Sequence, residues 1–92
     1  MKQIFKYTLN LNFANSQILK IPSDKILSVE NQYEEIVVYA IVDSDLDDNE
    51  YEFLIHGTGH ILHEDIDNFK FLGTVNMMGG NLMFHIFYKN NH

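Results

Sequence analysis

From Gln3 to Leu11 apolar and polar residues alternate for most of the length, with Phe5, Tyr7, Leu9 and Leu11 on one side and Lys6, Thr8 and Asn10 on the other. A period of two is that of a half-buried β-strand. Asn12 to Ser16 reads as a turn, and Gln17 to Ile21 as a second strand. Pro22-Ser23-Asp24 ends it, because proline cannot donate to a ladder and Ser and Asp favour turns. Ser23-Asp24 would also cap a short helix from Lys25 to Val29, but the β-branched Ile26 and Val29 and the shortness of the segment favour a strand.

Asn31 to Glu34 predicts a turn, followed by Glu35 to Asp43. The run Ile36-Val37-Val38-Tyr39-Ala40-Ile41-Val42 is apolar without a break, as in a strand buried on both faces at the centre of a sheet. Asp43 to Glu50 reads as an acidic loop, Tyr51 to His56 as a strand, and Gly57-Thr58-Gly59 as the turn that closes it. Glu64 to Asn68 has room for at most one helical turn. Phe69 to Met77 and Leu82 to Tyr88 are two further strands joined across Gly79-Gly80-Asn81, a hairpin signal. The tail from Lys89 is polar. Six or seven short strands with closely spaced turns, and no helix longer than about two turns, predict an all-β fold, a small antiparallel sandwich or partly closed barrel.

The chain has 92 residues without repeat, linker or low-complexity block, which predicts a single domain over residues 1–92. Seven Phe and five Tyr supply apolar mass for a core. A domain of this size buries only about 60–65% of the surface its unfolded chain exposes, so a homodimer is an expected way to add stability. The absence of cysteine excludes disulfides and thiolate metal sites. The N-terminus lacks the apolar run and cleavage site of a signal peptide, and no apolar run is long enough for a membrane-spanning helix, so a soluble protein of a reducing compartment is expected. A net charge of −7 argues against direct binding to nucleic-acid phosphates and is compatible with a basic protein partner.

Asp43, Asp45, Asp47, Asp48, Glu50 and Glu52 crowd one region. The alternating aspartates partly resemble an EF-hand loop, but the positions that require glycine and glutamate hold Asp48 and Leu54. A solvated loop, a weak cation site and an acidic patch that docks on a basic partner remain as readings, and mutual repulsion adds weight to the last.

His56, His60 and His63 lie close in sequence, and His85 sits on the last strand. Zinc accepts such ligands, but His-x-x-x-His shares a face only on a helix, which Gly57 and Gly59 oppose. No metal or cofactor is expected. Gly57, Thr58, Gly59 and His60 form a turn with glycine freedom, a hydroxyl and an imidazole, whose backbone N–H groups would suit an anion, with His85 as an added contact. It lacks the spacing and lysine of a nucleotide-phosphate loop. No serine lies in a nucleophile-elbow pattern, so no enzyme is expected.

Ile4-Phe5-Lys6-Tyr7, Ile18 to Pro22, Lys25-Ile26-Leu27-Ser28-Val29, Tyr39-Ala40-Ile41-Val42-Asp43, Gly57-Thr58-Gly59-His60, Phe71-Leu72-Gly73-Thr74, and Gly79-Gly80 before Phe84-His85-Ile86-Phe87 occur in that order. Over nearly its whole length the chain resembles a family of small proteins encoded by bacteriophages and prophages. The resemblance implies a phage protein that acts in the cytoplasm of the bacterial host, and it supplies no catalytic residues. The leading expectation is a non-enzymatic inhibitor of a host enzyme or defence complex (anti-CRISPR or other anti-defence action), with the Asp43–Glu52 region imitating phosphate charge at a basic site. The alternative is an oligomeric module that captures an anionic nucleotide signal at Thr58 and His60. A metal-dependent hydrolase using His60 and His85 comes third.

Overall fold

The computed structural model describes residues 1–11 and 15–91. Seven strands form in chain order: β1 (Lys2–Leu9), β2 (Gln17–Ile21), β3 (Lys25–Gln32), β4 (Glu35–Asp43), β5 (Asn49–Gly57), β6 (Lys70–Met77) and β7 (Leu82–Asn90). They make two antiparallel sheets, ordered β1-β4-β3 and β2-β5-β7-β6. The architecture is an open sandwich. The barrel that the turn spacing also allowed does not form, because the sheets remain separate ladders. The turn expected over Asn12 to Ser16 lies largely outside the described residues.

Strand periodicity sets the core. Ile36, Val38, Ala40 and Val42 of β4 face Tyr51, Phe53 and Ile55 of β5, with Val75, Met77, Phe84 and Ile86 completing the second sheet's side. The strong apolar run is the central strand of its sheet, as expected, although Tyr39 and Ile41 on its far face are only half-buried. Leu11 falls beyond the end of β1 and is exposed, and β1 itself is far more open than a half-buried strand. The reason is position: among the described residues β1 pairs with β4 alone and has no strand beyond it.

The two flanks of the sandwich differ. Along one, β3 packs on β6, where Asn31 donates through Nδ2 to the Asn76 carbonyl at 2.7 Å. A Cβ on Gly73 would stand 2.9 Å from Val29 Cγ1, so glycine is what lets the strands approach. The other flank carries the edges β1 and β2. At the end of the sandwich where the chain passes from β2 to β3, fully buried Ser23 ties the sheets together. Its carbonyl accepts from Tyr51 Oη and Asn49 Nδ2, each at 2.8 Å, and its hydroxyl bonds both the N–H and the carbonyl of Lys25 at 2.9 Å.

The sequence places a turn over Asn31 to Glu34, but Asn31 and Gln32 stay in β3, paired with Ile36 and Glu35. The turn is only Tyr33-Glu34, both with positive φ (52° and 64°). That is the geometry of a two-residue hairpin turn whose twist matches its strands. Asn31 Oδ1 accepts the Glu34 N–H at 2.9 Å and holds it in place.

Candidate functional site

The acidic region is narrower than its sequence. Asp43 closes β4, while Asn49 and Glu50 already belong to β5, because Asn49 is anchored on Ser23 and Glu50 lies opposite Lys20. Glu52 lies opposite Lys89 in the ladder and accepts from Asn91 Nδ2 at 3.0 Å. Hydrogen bonds from Ser16 and Asn91 hold its carboxyl below the usual range, with Lys89 adding to the effect. What projects is the connection Ser44 to Asp48, in which Asp45, Asp47 and Asp48 are exposed.

That connection has a defined shape. Asp43 Oδ1 accepts the Asp45 N–H at 3.0 Å, and the Asp43 carbonyl accepts the Leu46 N–H at 3.0 Å. The N-terminal ammonium sits 3.6 Å from both Asp43 Oδ1 and Asp45 Oδ2. The Asp43 carboxyl is lowered chiefly by the Asp45 N–H, and further by the N-terminal charge and Lys2. This is an Asx-type turn: a short carboxylate replaces a backbone acceptor and fixes the chain two residues on.

His56 and His85 lie on the outer face of the four-stranded sheet, with His60 and His63 in the connection that follows β5. Because Phe53 and Ile55 point into the core, alternation turns Leu54 and His56 the other way, and both, like Phe69, are buried. The His56 ring meets the edge of Phe87 at 6.1 Å and His63 meets Phe69 at 6.3 Å. Lys89 Nζ lies 4.9 Å over the Phe69 ring and 3.0 Å from Asp65. Asn68 Nδ2 also donates to Asp65, and these two bonds keep its carboxyl acidic.

Within this layer three imidazoles act as acceptors for backbone. The Gly57 N–H donates to His60 Nδ1 at 3.0 Å, the His63 N–H to His56 Nε2 at 3.3 Å, and the Asp65 N–H to His63 Nδ1 at 3.0 Å. The sequence from Gly57 to Asp65 is therefore fastened by ring nitrogens of His56, His60 and His63 that accept its backbone N–H groups. Gly57 leaves room for the His60 ring, since a Cβ there would stand 2.7 Å from it and displace the ring from this position. His85 differs: its Nε2 lies 2.8 Å from Thr58 Oγ1 and its Nδ1 2.9 Å from Thr74 Oγ1.

Chemically, His85 can pass a proton between two hydroxyls, but neither bond orients it with a carboxylate as a hydrolytic triad requires. Among the described residues no group of three or more His, Asp or Glu side chains converges to hold a metal. Three of the four backbone donors of the Gly57-Thr58-Gly59-His60 turn are engaged: Gly57 on His60 Nδ1, Thr58 on the Met83 carbonyl at 3.3 Å, and His60 on the Gly57 carbonyl at 3.1 Å. A cavity of about 260 Å³ beside it is lined by Thr58, His60 and residues 81–84. Thr74 was not among the candidates the sequence supplied. It could have been found by counting back from the Gly79-Gly80 hairpin, whose register sets Met77 opposite Leu82 and hence Thr74 opposite His85.

The fold and these two loci define a small open β-sandwich with an acidic turn at one end and a histidine-fastened outer layer on one sheet. Residues 1–92 match a family described as a domain of unknown function (DUF7352), and the chain belongs to that family. No curated protein and no solved structure matches it.

Proposed function

We propose that the protein is a non-enzymatic binding protein that docks on a basic site of another protein through Asp45, Asp47 and Asp48, flanked by Asp43, Glu50 and Glu52. In the form the sequence resemblance implies, it is a phage protein that inhibits a host enzyme or defence complex in the bacterial cytoplasm. The supporting observation is the Asx-type turn at Asp43, which fixes the backbone at Asp45 and Leu46 and leads into the exposed carboxylates of Asp47 and Asp48. Pre-organised charge loses less ordering entropy on binding and steers encounter with a positive surface. Capture of a small anion at Thr58, His60 and His85 is less favoured, because three of the turn's four backbone donors are already used.

The test is co-purification from infected bacterial cells, identification of the bound protein, and titration of the purified pair. Reversing Asp45, Asp47 and Asp48 to lysine should weaken binding by tenfold or more, on the order of the effect of losing several charge pairs, and should remove its salt dependence. Unchanged affinity in the triple variant would sink the proposal.

A further inference from the structure

β1 is an open edge. Among the described strands it is hydrogen-bonded only to β4, and six of its eight residues are exposed. Two of them are large and apolar, Ile4 at 64% and Phe5 at 46%. Phe5 lies opposite Ala40, which is fully buried, so it stands on the core-facing side of the sheet. It is left uncovered because no strand among the described residues lies beyond it. A long edge with free N–H and C=O groups is a template for another strand.

We propose that β1 pairs antiparallel with β1 of a second copy, joining the two three-stranded sheets into one of six. The side chains select the register. Continuous faces require residues of the same face to lie opposite each other, which leaves registers centred on single residues. Centring on Ile4 sets Lys2 against Lys6 of the other copy, and centring on Lys6 sets the two Lys6 side chains against each other. Like charges directly opposite are destabilising. Centring on Gln3 or Tyr7 avoids this but leaves much of the strand unpaired. Centring on Phe5 uses the whole strand: Phe5 meets its counterpart at the two-fold axis, Ile4 lies against the Lys6 stem, Gln3 faces Tyr7, and Lys2 faces Thr8.

The lysines are compatible with this arrangement because their own sheet already engages them. Lys6 Nζ donates to Gln32 Oε1 at 2.7 Å, reaching back across β4. Lys2 lies opposite Asp43 and contributes to the lowering of its carboxyl. The two Phe5 rings would exclude water from the open flank, and an aromatic pair adds to the gain from area alone. A closed two-fold contact also consumes the edge, so assembly stops at two. A strand edge of this length is a small interface, which makes the dimer concentration-dependent.

Sedimentation velocity of the full chain from low micromolar to submillimolar concentration tests the association. Phe5→Cys tests its register, read by short-linker crosslinking against Ile61→Cys, whose site is 95% exposed on the outer loop. The expected result is a dimer at high concentration, with rapid crosslinking of F5C and slow crosslinking of I61C. Phe5→Lys should weaken dimerisation by about tenfold or more, with its circular dichroism unchanged. If F5K does not fold, the cysteine comparison still decides. A monomer at every concentration, or F5C crosslinking no faster than I61C, overturns the proposal.

Discussion

His56 shows how burial turns a side chain into a pH-dependent part of the fold. Its ring is 4% exposed and accepts a backbone N–H through Nε2. Burial first, and then the charges of His63, His60 and His85, hold its pKa below the ordinary 6.5. The other charged groups around this layer, Asp65 and Lys89, bond each other. As pH falls, the unfolded chain takes up the proton before the folded one does, so stability falls. The contribution of His56 is fully present above pH 6.5 and is lost as pH drops through the lower folded value. Denaturant midpoints should therefore fall between neutral and mildly acidic pH, and His56→Phe should flatten that slope. An equally steep slope in the variant would assign it elsewhere. The sequence marked this residue as one of a cluster, but not as an acceptor, because the partner N–H belongs to a loop whose path is set only by tertiary packing.

At the scale of elements, punctuation decided what was legible. β2 and β4 begin and end where the pattern places them, because Pro22-Ser23 interrupts one ladder and the acidic run ends the other. The Tyr33-Glu34 turn was harder to locate, since it lacks the Asn or Gly that such turns favour. Tyr33 carries a positive φ and is 94% exposed, so its backbone cost is not offset by burial of its ring. Asparagine tolerates that conformation better. Tyr33→Asn is expected to stabilise the protein by about 0.5–1 kcal/mol, measured as an increase in denaturant midpoint with unchanged slope. A neutral or destabilising result would mean that the ring makes a contribution its exposure conceals.

On the scale of the whole molecule, strand order was the part the sequence could not supply. The alternation in β1 is the same whether its neighbours are one strand or two, because period reports faces and not edges. The structure places β4 between partners in one sheet and β5 and β7 between partners in the other, leaving β1, β2, β3 and β6 at the edges. β3 and β6 pack together, whereas β1 remains open. Hydrogen exchange should report this difference directly. Amides of β4, β5 and β7 should open only with global unfolding, while alternate amides of β1, those pointing away from β4, exchange at rates close to solvent. Raising protein concentration should slow those β1 amides and leave the edge amides of β2 unchanged, because only β1 is consumed by pairing with its own copy. If the β1 amides were as slow as those of β4 at the lowest concentration, the edge would already be covered within one chain, and no second copy would be needed to close it.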